Sequence, residues 1–217
     1  MVGQGVLREC LLDPEIDAVL TVGRSATGVK NPKLREIVHA NMFDYSEIQA
    51  ELRGFDACFF CLGVSSAGMP AAEYERLTYG LTMAAAKTLC RLNPDMTFIY
   101  VSGAGTDSSE KGRVMWARVK GKTENELLRL PFKAAYMFRP AFIQPMHGER
   151  SKTGLYRAAI SAFKPFFPLL RRLFPNYVTT TEEIGRAMIR VAQRGAPNKL
   201  GAPRKVLESS EIRDCAR

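Results

Sequence analysis

A serine, a tryptophan and a lysine are the side chains of this sequence best suited to chemistry on a carbonyl group. Ser102 follows the apolar run MTFIYV, and Trp116 and Lys120 lie in the segment VMWARVKGKTENELLRL. A spacing of four residues puts Trp116 and Lys120 on one face of a helix. A serine hydroxyl and an indole N–H can both donate a hydrogen bond, but an indole does not exchange a proton near neutral pH. The pattern predicts a site that can orient a carbonyl group.

Short apolar runs alternate with helical patterns along the chain, and these elements must position the three side chains. Strands are predicted for the segments DAVLTVGR, REIVHANMFD, DACFFCLG, MTFIYVSGAG and FKAAYMFRPAFI. Helices are predicted for DYSEIQAELRGF, AAEYERLTYGLTMAAAKTLCRL and the segment that holds Trp116 and Lys120. The alternation predicts an α/β fold, a Rossmann-like, doubly wound parallel sheet with helices on both faces.

The pattern changes after Pro145. The stretch 154–175, GLYRAAISAFKPFFPLLRRLFP, is aromatic and basic, and TTTEEIGRAMIRVAQ predicts a capped helix. We predict one domain, 1–217, in which 146–217 form a small C-terminal helical part on the substrate side. The aromatic stretch could cover a substrate pocket, contact a second subunit or touch a membrane, and its prolines disfavour the last of these.

Ligands of open parallel sheets bind beyond the carboxyl ends of the strands. Arg24 follows the first predicted strand, where an acid would hold the ribose of NAD and an arginine accommodates the 2′-phosphate of NADP. NADP is therefore the expected cofactor, with NAD as the other option. Asn41 and Met42, near the end of the next run, could hold the adenine edge. Gly63, after the third run, lets a ligand approach the backbone.

An ordered set of stretches resembles a known class of proteins: MVGQGVLRE, TVGRS, FFCLG, YVSGAG, WARVKGKTE and FRPAFI. The set is similar to the short-chain dehydrogenase/reductase superfamily and, more narrowly, resembles its atypical NAD(P)-binding members related to the NmrA regulator and the HIV Tat-interacting protein. The resemblance implies an oxidoreductase- or epimerase-like protein in which Ser102 orients the substrate and Lys120 holds the nicotinamide ribose. Trp116 stands where the superfamily has its catalytic tyrosine. Pro140 and Ala141 are implied to lie near the nicotinamide.

The tryptophan leaves two functions open. The protein could be a non-catalytic, NADP-sensing regulator or protein-interaction module, or it could be an enzyme that takes its proton from another group. Tyr74, Tyr79 and Asp107 are the alternative donors. His147 is a further candidate for lining a substrate pocket.

The chain opens with MVGQGVLREC. The resemblance implies that Gly3 is the last glycine of a phosphate-binding turn, where it contacts the cofactor and allows close packing of a helix on a strand. It also implies a strand and two further glycines ahead of Gly3. We therefore expect an N-terminally shortened sequence whose sheet lacks a central strand, with weak dinucleotide binding and low stability.

Composition limits the remaining functions. The net charge is +9 but the basic residues are scattered, which favours a pocket for an anionic cofactor over specific nucleic-acid binding. The five cysteines form no paired framework, and Cys58 and Cys61 lie in an apolar run that predicts a core strand rather than a metal or redox site. Unpaired thiols suggest a reducing compartment, so we expect a cytoplasmic protein away from membranes. A small-molecule substrate is expected, while a homodimer and a protein partner stay open.

Overall fold

The computed structural model describes residues 1–149, 176–196 and 205–217. The stretch 154–175 lies outside the described residues, so its role as a pocket cover or subunit contact stays a prediction. The described strands are β1 (Val19–Gly23), β2 (Leu34–Val38), β3 (Ala57–Phe60), β4 (Thr97–Val101), β5 (Ala134–Arg139), β6 (Phe142–Gln144), β7 (Val178–Thr180) and β8 (Val206–Glu208). The helices are α1 (Val2–Leu12), α2 (Ala71–Glu75), α3 (Leu81–Leu92), α4 (Met115–Arg129), α5 (Thr181–Arg194) and α6 (Ser209–Cys215), and a π-helical stretch, Arg76–Gly80, joins α2 to α3.

Parallel pairing dominates the strands, as predicted. β3, β4, β5 and β8 form a four-stranded parallel sheet in that order, while β1–β2 and β6–β7 are parallel pairs. Apolar runs such as β4 are buried on both faces because helices cover both sides. The predicted α/β, Rossmann-like fold class is confirmed. The segment 176–217 supplies β8 to the main sheet, and the substrate-side role predicted for 146–217 stays a prediction.

Two apolar clusters sandwich the sheet. The first core cluster joins α1, α5 and α6 to one face and includes Val6, Ile99, Phe138, Ile184, Met188 and Ile212. The second core cluster joins α3 and α4 to the other face and includes Met42, Phe60, Met83, Phe98, Tyr100 and Leu127. Successive residues of β4 point to opposite clusters, as the two-residue period of a strand requires. The helices therefore lie on both faces, which is the doubly wound arrangement.

The helix predicted for residues 44–55 is wrong. The chain forms a 3-10 turn at Ser46–Ile48, followed by a further tight turn in which the Leu52 N–H bonds to the Gln49 carbonyl. The Asp44 carboxylate accepts the Ser46 N–H at 2.9 Å, and such local bonds compete with helix formation. Ile48 and Leu52 are nevertheless buried. Their four-residue spacing therefore predicted burial correctly but predicted the wrong backbone conformation.

Glycines set the distance between α1 and α5. A Cβ on Gly5 would lie 2.6 Å from the Thr181 Cβ, and one on Gly185 would lie 2.7 Å from the Glu9 Cγ. A Cβ on Gly3 would meet the Cβ of Cys61 at 3.4 Å, an ordinary contact distance. Gly5 therefore carries the tightest packing of α1, against the first residue of α5, while the packing of Gly3 on a strand stays a prediction.

No hydrogen-bonded ladder joins β1 to β3 among the described residues. β1 has only β2 as a strand partner in the described chain, and β3 has only β4. Both strands nevertheless belong to one layer, because Val19 and Phe59 pack on the first core cluster while Leu20 and Cys58 pack on the second. Helix α1 contacts both strands. One edge of each strand is thus left without a ladder among the described residues. The missing strand stays a prediction.

A strand-forming segment engineered ahead of Met1 is expected to stabilise this sequence if it pairs with the open edges of β1 and β3. The extension would carry five apolar residues and a glycine-rich turn ahead of Met1, because α1 begins beside Cys61 at the carboxyl end of β3. Each buried backbone group that gains a partner contributes about 1–3 kcal/mol, so the free energy of unfolding in urea should rise by at least that amount. A Gly/Ser extension of equal length is the control, and equal effects of the two extensions would contradict the prediction.

Candidate functional site

The ends of β4 and β5 continue side by side beyond the sheet. The Ser102 N–H donates to the Phe138 carbonyl at 2.9 Å, and the Ala104 N–H donates to the Pro140 carbonyl at 3.0 Å. These bonds hold the segment Ser102–Gly105 against the end of β5, at the edge where ligands of parallel sheets bind. The carbonyl of Pro140 and the N–H of Ala141 are both occupied, the latter by the Ser209 hydroxyl at 2.8 Å. Pro140 and Ala141 therefore border the site, and the Ala141 N–H is not available to a ligand.

Lys120 reaches this segment from α4. Its ammonium donates a hydrogen bond to the Ser102 carbonyl. A Cβ on Gly103 would lie 3.8 Å from the Lys120 Nζ and 3.9 Å from the Pro140 carbonyl oxygen, so the bare glycine leaves space beside the amine. Burial lowers the pKa of Lys120 to about 8, although the attraction of Glu124 acts in the opposite direction. The face of α4 that carries Lys120 therefore lies against Ser102.

Trp116 lies one turn before Lys120 and is half-buried. A Cβ on Gly105 would meet the Cη2 atom of its indole ring at 3.6 Å. No hydrogen bond to the indole N–H is present in the described part of the chain. Gly103 thus lies beside Lys120, and Gly105 lies beside Trp116. Ser102, Trp116, Lys120 and Pro140 all border this short segment.

The Ser102 hydroxyl points to a buried ion pair that the sequence analysis missed. It lies 2.5 Å from Oε1 of Glu124, to which it donates, and the Glu124 side chain is only 1% exposed. Arg139, at the end of β5, donates from Nε to both carboxylate oxygens, at 3.0 and 3.2 Å. The hydroxyl hydrogen is thus engaged by a carboxylate rather than free for a substrate. Glu124 follows Lys120 by four residues, and that spacing was the available signal.

The alternative proton donors are engaged elsewhere. Tyr74 is 2% exposed, and burial raises the pKa of its phenol. The ring of Tyr79 lies beneath the Lys122 ammonium at 4.6 Å. Hydrogen bonds from Ser109 and Gly112 lower the pKa of the Asp107 carboxyl, which is therefore a poor acid near neutral pH. His147 pairs with Glu182 of α5 at 2.9 Å.

The residues predicted to hold the rest of the cofactor lie after β1, β2 and β3 and at the start of α1. Arg24 and Gly63 are exposed, and nothing approaches within 4 Å of a Cβ built on Gly63. Asn41 is exposed and accepts the Phe43 N–H at 3.1 Å. Met42 is 6% exposed within the second core cluster, so only its backbone is left for a ligand. Gly3 places the first turn of α1 beside Cys61.

The CxxC segment belongs to the core strand β3 and the residue after it. Burial raises the pKa of both Cys58 and Cys61 to about 12, which makes these thiols unreactive near neutral pH. Among the described residues, no three His, Cys, Asp or Glu side chains are grouped to hold a metal ion. None of the described helices has the length and apolar character needed to cross a membrane.

Curated relatives are recognisable at low identity, while no protein-family model matches the chain. It is 28% identical to "Protein FMP52-2, mitochondrial" of Scheffersomyces stipitis, covering 93% of this chain and 86% of the relative. It is 25% identical to "Protein FMP52, mitochondrial" of Meyerozyma guilliermondii, covering 94% and 84%. These names contradict the predicted cytoplasmic location. Unpaired thiols are compatible with any reducing compartment, so they could not single out the cytoplasm.

Solved structures share the fold at still lower identity. A GalE-like L-threonine dehydrogenase from Cupriavidus necator superposes with a TM-score of 0.69 and 13% identity, covering 96% of this chain and 74% of that one. The Bordetella bronchiseptica enzyme WbmF in complex with NAD+ gives 0.63 and 14%, covering 99% and 73%. Epimerases acting on nucleotide sugars are among the other matches. The chain therefore has the Rossmann-like fold of short-chain dehydrogenases and epimerases.

Proposed function

We propose that the chain is an NADP-binding, oxidoreductase- or epimerase-like protein of the atypical short-chain dehydrogenase/reductase class. The observation that carries the proposal is the meeting of Lys120, Trp116 and the bare backbone of Gly103 at the carboxyl ends of β4 and β5. This is the edge of a parallel sheet at which dinucleotides and their substrates bind. The narrower resemblance to NmrA-like and HIV Tat-interacting-protein-like members belongs to the same proposal.

The residues present fit a dinucleotide. The first turn of α1, an 11-residue helix, lies beside the end of β3, and a helix N-terminus favours a pyrophosphate. Gly63 leaves open space next to it. Arg24 would hold the 2′-phosphate of NADP, the backbone of Asn41 and Met42 the adenine, and Lys120 the nicotinamide ribose. The bound nicotinamide would supply or accept a hydride.

A non-catalytic sensor or protein-interaction module is the second candidate, and Trp116 is the observation that favours it. An indole in the place of a phenol removes the usual acid without removing the lysine that holds the ribose. Such a protein would bind NADP and a partner protein, or a second copy of itself, without turnover.

Turnover separates the two candidates. The chain is mixed with NADPH and a panel of small carbonyl compounds and nucleotide sugars, and binding and NADPH oxidation are both followed. Oxidation that is abolished by Lys120→Ala supports the enzyme. Binding without oxidation supports the sensor, and the absence of binding would refute both.

The Arg24→Ala variant is expected to lose preference for NADP. The side chain is exposed after β1, so its guanidinium can meet a phosphate without breaking a contact in the described chain. The dissociation constant for NADPH should rise about tenfold, which corresponds to one charge-assisted contact of about 1.4 kcal/mol, while that for NADH should stay constant. Arg53→Ala, another exposed arginine, is the matched control. Equal weakening for both cofactors would exclude a 2′-phosphate contact.

A further inference from the structure

The site lacks an obvious source for one proton. When a hydride adds to a carbonyl carbon, the oxygen gains an electron pair and must be protonated. Trp116 cannot release its indole proton near neutral pH. Some other group must therefore face the space beside Gly103 and Gly105 if the proposed enzyme turns over.

Geometry removes most candidates. The Ser102 hydroxyl donates to the buried Glu124, and Tyr74 and Tyr100 are 2% and 1% exposed, with burial raising the pKa of both phenols. Asp107 binds the loop that follows it through Ser109 and Gly112. Each of these groups is committed to the protein rather than to the open side of the segment Ser102–Gly105.

Lys120 is placed differently. Among the residues that the structure describes, its ammonium makes one hydrogen bond, to the Ser102 carbonyl, and an ammonium has three N–H donors. The missing side chain of Gly103 keeps the space next to Nζ clear. Burial removes water from around the amine and lowers the pKa of Lys120 to about 8. An acid whose pKa lies near the working pH can give up its proton and then regain one from solvent.

We propose that Lys120 itself is the proton donor of the carbonyl reduction, in place of the tyrosine that this chain lacks. This rests on the proposed enzyme function. A bound reduced nicotinamide would supply the hydride that forms the new C–H bond at the carbonyl carbon. The π electron pair of the carbonyl would then pass to its oxygen, and the Lys120 ammonium would give that oxygen a proton. An alcohol, the oxidised cofactor and a neutral Lys120 amine would result, and solvent would return the proton to the amine.

The charges around Lys120 allow this cycle. Glu124, on the same helix, attracts the ammonium and favours its charged form. From β5, Arg139 neutralises Glu124 by a buried ion pair, and its other guanidinium nitrogen lies 3.6 Å from a carboxylate oxygen of Glu208 at the end of β8. Arg139 therefore offsets part of the negative charge of Glu124. Burial, which lowers the pKa of Lys120, outweighs the attraction of Glu124, which raises it.

The pH profile of reduction tests the assignment. The reaction needs the protonated amine, so kcat/KM for NADPH-dependent reduction should fall about tenfold per pH unit above about pH 8. The reverse oxidation needs the neutral amine and should rise over the same range. Lys120→Arg keeps the charge and the hydrogen bonds but cannot release a proton, so reduction should fall at least about 100-fold while the dissociation constant for NADPH changes less than about threefold. Lys122→Arg, on the exposed side of α4, is the matched control.

Each outcome decides between the roles. A Lys120→Arg variant that keeps more than one-tenth of the rate, or a profile that is flat through pH 9.5, overturns the proton-donor role and leaves only ribose binding. A wild-type chain that binds NADPH but reduces no carbonyl also overturns it and supports the sensor. A chain that binds no NADPH refutes the proposed function itself, which separates that failure from failure of the lysine assignment.

Discussion

The Gly121→Ala variant is expected to lose about 3 kcal/mol or more of unfolding free energy, because a methyl group at this position has no space. A Cβ on Gly121 would lie 1.8 Å from the carbonyl oxygen of Asp107 and 3.2 Å from the Ser108 nitrogen. Both neighbours are backbone atoms, so no side-chain rotation relieves the clash. The loop must move away from α4, which breaks the hydrogen bond of 3.1 Å from the Asp107 N–H to the Ala117 carbonyl.

The same variant should damage the site as well as the fold. Gly121 follows Lys120 directly, and the displaced loop carries Gly103 and Gly105, so NADPH binding should weaken together with stability. Urea denaturation and NADPH titration measure the two effects. Gly63→Ala is the stability control, since its Cβ would meet nothing within 4 Å. A Gly121→Ala protein as stable as the wild type would show that the loop does not pack on α4 in this way.

The Arg139→Met variant is expected to cost about 3–5 kcal/mol, the second large effect. It removes the cation that is hydrogen-bonded to the Glu124 carboxylate, which is 1% exposed. The Lys120 ammonium stays nearby as a positive charge, and the Ser102 hydroxyl stays as a donor. The double variant Glu124→Met/Arg139→Met removes both charges and should recover most of the loss, because a well-packed apolar pair can replace a buried ion pair at little cost. Arg129→Met is the matched control: that arginine pairs with Glu126 at the surface, and its loss should cost less than about 1 kcal/mol.

Much of the fold could be predicted from local pattern. Apolar runs such as ACFF and TFIYV became β3 and β4, and the four-residue spacing of Trp116 and Lys120 put both side chains beside the end of β4. The period of the apolar residues indicates which side chains are buried, because the buried face of a strand repeats every two residues and that of a helix every 3.6. The same signal failed for residues 44–55, where Ile48 and Leu52 are buried from successive turns instead of a helix.

The sequence by itself determined the α/β class, the alternation of strands and helices, and the placement of Trp116 and Lys120 on one face of α4. Only the tertiary structure decided which partners these residues meet. Glu9 and Arg186, 177 positions apart, form a hydrogen bond of 3.0 Å across the α1–α5 contact. Ser102 gives its hydroxyl hydrogen to Glu124, and Gly5 rather than Gly3 carries the tight packing. The physical reason is that local spacing fixes the face on which a side chain lies, whereas its partner depends on which distant element packs against that face.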